Sequence, residues 1–547
     1  YILKGESTDQ VAEAVLAAGG EITHKLGIIQ SVAANLTESQ VDDLRVTRGI
    51  LRIYGNEAVE TAAKPSKGGG GDPGTTESVA DTFYTTLING DYVHQMGIDG
   101  TGIGIAVLDT GLWKTQDIRN DAAGNARIKA VYNAITDTEA VNPNSGDDPA
   151  GHGSHVASIA VSSKMTEDGT ARYNGVAPGA HLVSVQAFDE NGQGTYADVV
   201  RAIDWIVANR NKHKIRILNA SFSAEPRSYY WDDPINQAIM VAWRSEIFVV
   251  AAAGNRGPDP MTIGVPGNVP YVMTVGAMTD SFTPADGSDD VLASFSSAGP
   301  TVEGFVKPEV VAPGGHMRGL VQGNSTLASS YPQFYDGDYF EMSGTSQATA
   351  VVAGIAALAL QAEPWRTVDE LKCKIMSAAK PATITTGKGK DKTTTLAYSV
   401  FQQGAGMVDA YETVMNQTTG CANQGLYVVN DIDGNQHFGG PADQDINGNY
   451  YLRGDLDSAE TGYAWDGAYA DSNGYLWTNG YLWTNGYLWT NSYLWTDGVG
   501  TDGYLWTNGY LWTNGYLWTN GYLWTNGYLW TNALTEMTSM SSWVEPE

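Results

Sequence analysis

Three segments of this sequence carry side chains that, brought together, would cleave an acyl bond. Ile105-Ala106-Val107-Leu108-Asp109-Thr110-Gly111 is an apolar strand pattern that delivers a carboxylate at its C-terminal end, where open α/β sheets place their sites. Gly151-His152-Gly153-Ser154-His155 sets an imidazole between two glycines at a helix start, which permits close backbone approach and leaves a ring nitrogen outward. Ser343-Gly344-Thr345-Ser346-Gln347-Ala348 leads a hydroxyl into a helix of small residues, so Ser346 stands at a helix N-terminus whose N–H groups favour developing negative charge. A strand-ending Asp or a helix-capping Ser is commonplace alone. The chain order Asp, His, Ser is one of the orders in which an orienting carboxylate, a base and a nucleophile occur together. The chemistry expected is acyl transfer, with His152 taking the Ser346 proton and Asp109 holding the imidazole tautomer. His155 reads as a helix-face histidine packed or hydrogen-bonded locally.

These segments resemble the triad motifs of the subtilisin (subtilase) family, over roughly residues 80 to 415. Asn219-Ala220-Ser221-Phe222-Ser223 resembles the strand that lines the first specificity pocket, and Ala251-Ala252-Ala253-Gly254-Asn255 the oxyanion segment. The resemblance implies a secreted serine endopeptidase acting on protein or peptide substrates, with Asn255 donating to the oxyanion. It implies a substrate edge at Gly192-Gln193-Gly194 that pairs with extended backbone, and pocket positions at Ser221, Phe222, Ser223, Ala253, Gly254 and Arg256. Gln347 replaces the usual Met, Ala350 a usual Pro, and Phe222 and Ser223 a Leu-Gly pair, so the pocket departs from the family pattern. Arg256, at the expected pocket rim, predicts tolerance of acidic residues there.

Apolar strand-like runs alternate with helix-like patterns from about Asp81 to Met415, which predicts an α/β fold with a parallel sheet flanked by helices. Before it, residues 1–60 read as a small α+β unit. It comprises a strand start at Tyr1-Ile2-Leu3, a helix pattern from Val11 to Ala18, an apolar run from Leu26 to Ala34, a helix start at Thr37-Glu38-Ser39-Gln40 and a closing strand Ile50-Leu51-Arg52-Ile53-Tyr54. This unit resembles the family's inhibitor-like propeptide, which implies a zymogen with its own propeptide as inhibitor. A flexible linker over 61–80, Gly-rich from Lys64 to Gly74, would hold the maturation site. The catalytic unit is assigned to 81–421, a connecting region rich in Asp, Gly and Asn to 422–474, and a β-rich repeat region to 475–547.

The net charge of −30 repels phosphate backbones and anionic lipid, which excludes nucleic acid as a partner. The most apolar long stretch, Ala348 to Ala362, is too short and too rich in Ala and Gly for a membrane span and reads as a buried helix. The chain starts at Tyr1 with no charged-then-apolar leader, so export is an inference that a signal peptide has been removed. Cys373 and Cys421 either form a disulfide worth about 4 kcal/mol on a chain-entropy model or remain two buried thiols. Structural calcium is expected for the family. Asp443, Asp445 and Asn447 have the alternating oxygens of a calcium loop without its twelfth-position Glu, and read equally as a polar turn; Asp431, Asp433, Asp455 and Asp457 would supplement such a site.

Nine copies of Tyr-Leu-Trp-Thr begin between Tyr475 and Tyr528, mostly joined by Asn-Gly, which predicts either a type I′ hairpin meander or a six-residue solenoid. An aromatic surface of that size implies packing or self-association, stacking on a polysaccharide or cell surface, or disorder until assembly. The alternative to an enzyme is a structural, self-assembling extracellular protein on a protease-like scaffold, against which the intact triad argues.

Overall fold

The computed structural model describes residues 1–61, 82–166, 172–281, 283, 287–386, 393–418, 422–444, 450–452 and 463–464. The Tyr-Leu-Trp-Thr repeats, the Gly-rich linker, Cys421, Asp445, Asn447, Asp455 and Asp457 lie outside these residues.

The first 54 residues make an antiparallel sheet in the order β2-β3-β1-β4, from β1 (Ile2–Gly5), β2 (Glu21–Leu26), β3 (Ser31–Asn35) and β4 (Ile50–Tyr54). Helices α1 (Thr8–Ala17) and α2 (Glu38–Arg45) cover one face. Each helix starts where a hydroxyl satisfies an orphan N–H: Ser7 accepts from Gln10 N, and Thr37 and Gln40 form a reciprocal capping box. Leu3, Val11, Val15, Val32 and Leu44 form a small core of their own. The apolar run Leu26 to Ala34 is not one strand. Gln30 takes a left-handed backbone at φ 55° after a 3-10 turn over Gly27–Ile29, so the chain reverses between β2 and β3.

A short strand β5 (Ala58–Thr61) then leads away. The main sheet follows: β6 (Gly104–Asp109), β7 (Ile128–Asn133), β8 (Thr138–Glu139), β9 (His181–Gln186), β11 (Ile215–Ala220), β13 (Phe248–Ala252), β14 (Met273–Thr279), β15 (Val291–Leu292) and β16 (Val310–Pro313). Its path runs β15-β14-β13-β11-β6-β9-β7-β8, with β16 also on β14, and only β8 and β15 join antiparallel. Strand β6 is buried at every position, as a parallel strand covered on both faces must be.

Helices α3 (His152–Val161), α4 (Tyr196–His213), α5 (Pro234–Arg244) and α6 (Thr345–Ala362) supply the covering layers. The apolar α6 is 89% buried, a core helix built of small residues. Its Gly354 lies flush on the neighbouring chain: a Cβ there would stand 2.5 Å from Val176 Cβ. The N-terminal unit rests on α4 and α5, with Lys4 Nζ donating to Gln237 Oε1 (2.7 Å), Ile28 N to Asp204 Oδ2 (3.2 Å) and Tyr54 Oη to Asp232 Oδ1 (3.3 Å). Gly354→Ala is expected to cost about 1–3 kcal/mol by overpacking. A chemical-denaturation midpoint unchanged from the parent would contradict that packing.

Candidate active site

The strand β6 ends at Asp109 and α3 begins at His152, and the two side chains meet: Asp109 Oδ1 lies 2.7 Å from His152 Nδ1 and also accepts from Thr110 N at 2.8 Å. An aspartate oxygen at that distance holds the proton on Nδ1 and leaves Nε2 as the ring's lone-pair nitrogen. His152 and Asp109 are 1% exposed and Ser346 fully buried. Gly151, at φ 101°, takes a backbone conformation that favours glycine and turns the chain into α3. Gly153 has no room for a side chain, since its Cβ would stand 2.4 Å from Gly111 O.

Behind this pair lies a residue that sequence reasoning missed. Asp148 is completely buried; its Oδ1 accepts from Thr110 Oγ1 (2.7 Å) and Gly151 N (3.0 Å), and its Oδ2 from Ser154 N (2.7 Å) and Ser154 Oγ (2.6 Å). Thr110 Oγ1 in turn accepts from Gly153 N at 2.9 Å. Burial pushes the Asp148 carboxyl up, and these donors oppose the shift. No local signal marked it: Asp148 stands three residues before the N-cap Gly151, outside the capping position of this helix.

Ser346 occupies the first turn of α6. Its Oγ donates to Ser221 O at 2.8 Å, while Ser221 Oγ donates to Ser346 O at 3.1 Å and accepts from Asn219 Nδ2 at 2.8 Å. Asn255 follows Ala253 and Gly254 at the end of β13, and its Oδ1 accepts from Thr345 N (3.0 Å) and Thr345 Oγ1 (2.7 Å). Those bonds fix the amide orientation: the space left by the missing Cβ of Gly344 is bordered by Gln347 Oε1 at 2.7 Å, Asn255 Nδ2 at 3.2 Å and Ser346 N at 3.7 Å. This arrangement can meet a carbonyl oxygen that gains charge.

His155 proves to be a fixed neutral group. Its Nε2 faces Phe340 O (2.9 Å) and Met317 O (3.1 Å), so that nitrogen carries the hydrogen. Nδ1 is therefore an acceptor, 3.4 Å from Gln347 Nε2. Burial, then His152 nearby, pushes its pKa down to about 3. Gln347, the departure that follows the nucleophile, is thus oriented by a histidine.

Gln193 and Gly194 lie on β10 (Gln193–Thr195), with Gly192 at φ 76° in the turn before it; Phe222 and Ser223 form β12. Between them runs β5, antiparallel to both: Glu60 faces Gln193 and Ser223, Val59 faces Gly194, and Thr61 faces Phe222. Thr61 N donates to Gly192 O at 2.7 Å, and a Cβ on Gly192 would stand 2.3 Å from Thr61 Oγ1. Phe222 packs on Phe188 with ring centroids 5.4 Å apart. Ser223 Oγ fills the space between Gly254 and Gly264, 2.9 and 1.9 Å from where their Cβ atoms would be.

Arg256 differs from expectation: its Nη1 donates to Glu225 Oε1 at 2.9 Å, so its charge is already answered within the chain and gives no reason for an acidic preference in the first pocket. Of the two cysteines read either as a disulfide or as two thiols, Cys373 carries a free, half-buried thiol and Cys421 lies outside the described residues. Among the described residues no three His, Cys, Asp or Glu side chains gather as a candidate metal cluster. Asp443 sits in the strand Ala442–Gln444, and its companions Asp445 and Asn447 are outside the described residues.

A family profile described as Peptidase_S8, Subtilase family, matches residues 100–406. The chain is 36% identical over 326 residues to serine protease AprX of Bacillus subtilis (strain 168), covering 58% of this chain and 68% of that protein. It is 31% identical over 296 residues to subtilisin DY of Bacillus licheniformis, covering 54% of this chain and 89% of that protein. In fold it is similar to the crystal structure of fervidolysin from Fervidobacterium pennivorans, a keratinolytic enzyme related to subtilisin. The TM-score is 0.56 at 21% identity, covering 82% of this chain and 64% of that chain.

Asp148→Ala would strand several buried donors and is expected to destabilise by about 3 kcal/mol, since each orphaned group costs about 1–3 kcal/mol and part of the site can relax. Denaturant titration checks it. For His155 the folded pKa lies below the ordinary 6.5. The unfolded chain therefore binds a proton that the native protein refuses, and stability is lost as pH falls from about 6.5 toward 3 at about 1.4 kcal/mol per pH unit. His155→Gln should flatten the stability–pH curve by one proton in that window. An unchanged slope would show that His155 does not titrate on unfolding.

Proposed function

Because the chain belongs to the subtilase family and is a subtilisin-like serine endopeptidase, we propose that Asp109, His152 and Ser346 are its triad. We further propose that it is made as a zymogen. The observation that carries the assignment is the 2.7 Å contact between Asp109 Oδ1 and His152 Nδ1, buried at the C-terminal end of β6.

In the proposed cycle Ser346 Oγ leaves the Ser221 carbonyl and attacks a peptide carbonyl carbon while its proton passes to His152 Nε2. Asp109 keeps Nδ1 protonated and stabilises the imidazolium. The new oxyanion is met by Asn255 Nδ2 and Ser346 N. When the C–N bond breaks, the leaving amine takes the proton from Nε2, and water deacylates Ser346 by the same relay in reverse.

The zymogen reading is supported by β5, which fills the slot between β10 and β12 as an added strand and anchors the N-terminal unit over the cleft. The maturation cut falls in the linker that follows Thr61. Action outside the cell belongs to the same reading and rests on membership of the subtilase family. For the C-terminal repeats we propose assembly or surface contact, on the strength of their aromatic periodicity.

A fluorophosphonate probe should label Ser346 in full-length protein only after the N-terminal unit has been released, and Ser346→Ala should leave the chain both unlabelled and uncut. Immediate full labelling of the uncut chain would refute the zymogen reading. Asn255→Leu should lower kcat by about 10²–10³ with little change in KM; a change in KM alone would remove Asn255 from the oxyanion site.

A further inference from the structure

The hold on the N-terminal segment does not begin at β5. Glu57 O accepts from Tyr196 N at 2.8 Å and Asn56 Oδ1 from Ala197 N at 2.9 Å, so residues 56–61 lie in one continuous track formed by the start of α4, β10 and β12. Along that track Glu57 meets a cation of the main body: its Oε2 lies 3.9 Å from Nη1 of Arg227, in the loop after β12. The Arg227 side chain is 12% exposed and that of Glu57 24%.

Arg227 also faces Glu225, Asp233 and Tyr196. Glu225 is engaged by Arg256 at 2.9 Å, and Asp233 caps α5, accepting from Ile235 N, Asn236 N and Tyr196 Oη. Glu225 and Asp233 thus also have other donors, and Glu57 is one of several negative groups around the guanidinium. Burying a guanidinium costs free energy that an approaching carboxylate partly returns. Burial likewise raises the Glu57 carboxyl, against the pull of Arg227 and of the Tyr1 ammonium. The larger effect is burial, so the gain from the pair is modest.

We propose that Arg227 forms a remote recognition site for an acidic side chain, and that peptide substrates lying in the cleft are selected for Asp or Glu four residues before the position held by Thr61. The inference rests on the protease and zymogen reading above, because the N-terminal segment is taken as the stand-in for a substrate. It moves the acidic preference from the first pocket, where Arg256 is neutralised, to the far end of the track.

The test uses full-length protein that has released its own N-terminal unit, and quenched peptides with the sequence of positions 56–63, Asn-X-Ala-Val-Glu-Thr-Ala-Ala, where X is Glu, Gln or Lys. A pair 3.9 Å apart whose gain is largely offset by desolvation is worth up to about 1 kcal/mol, so kcat/KM should be about fivefold higher for Glu than for Gln and lower again for Lys. Arg227→Glu should reverse the order. Rates within twofold for all three peptides on the parent protein overturn the proposal whatever the variant does, and so does an order that survives Arg227→Glu. Failure to cut the Glu peptide by protein whose Ser346 accepts fluorophosphonate also overturns it. Absence of both cutting and labelling sinks the protease reading itself.

Discussion

The Asp148 carboxylate gathers the hydroxyl of Thr110, the N–H of Gly151 and both donors of Ser154, groups drawn from the end of one strand and the start of one helix. Those two chain ends are where Asp109 and His152 emerge, so the distance between carboxylate and imidazole is set by a buried knot that contains neither. A low-dielectric surrounding makes each of these bonds stronger and makes an incomplete set costly. Gly111 and Gly153 extend the same constraint, because only bare backbone lets the two segments touch.

Buried charge recurs as a fastening elsewhere. Lys307 and Lys372 share Glu309 at 2.6 and 2.7 Å beneath β14 and β16, and burial pushes the Lys307 ammonium down to about 7. Beyond Tyr271, whose carbonyl accepts from Lys372 Nζ, the helix α7 (Val428–Ile432) plants Asp431 between Tyr230, Tyr271 and His437, the latter stacked on Trp231 with ring centroids 4.4 Å apart. The segment after the sheet is therefore tied to the body by a polar cluster, and the neighbouring Asp232 takes Tyr54 of the N-terminal unit.

What could be read in advance followed from local rules. The parallel sheet was legible because buried parallel strands are unbroken apolar runs, as at Ile215–Ala220 and Phe248–Ala252. The placement of Asp109 at the end of a strand and of His152 and Ser346 in the first turns of helices was legible from the apolar runs that precede or follow them. Asp148 was not, since its meaning lies in four donors that come together only in the folded chain. Arg256 misled for the same reason: a cation beside a pocket in sequence carries no notice of Glu225 pairing with it. Gln30, in the left-handed region without being glycine, hid the turn that divides an apolar run.

The strand Ala58–Thr61 lies in its slot as part of the same molecule that owns the slot. While the chain between the strand and the body is continuous, occupancy is a unimolecular equilibrium, indifferent to how dilute the protein is. One broken peptide bond in the linker makes the segment an ordinary ligand, whose occupancy then falls with dilution. Were the chain cut there, the same strand would stay in its slot at high protein concentration and leave it on dilution, with no change in any contact it makes.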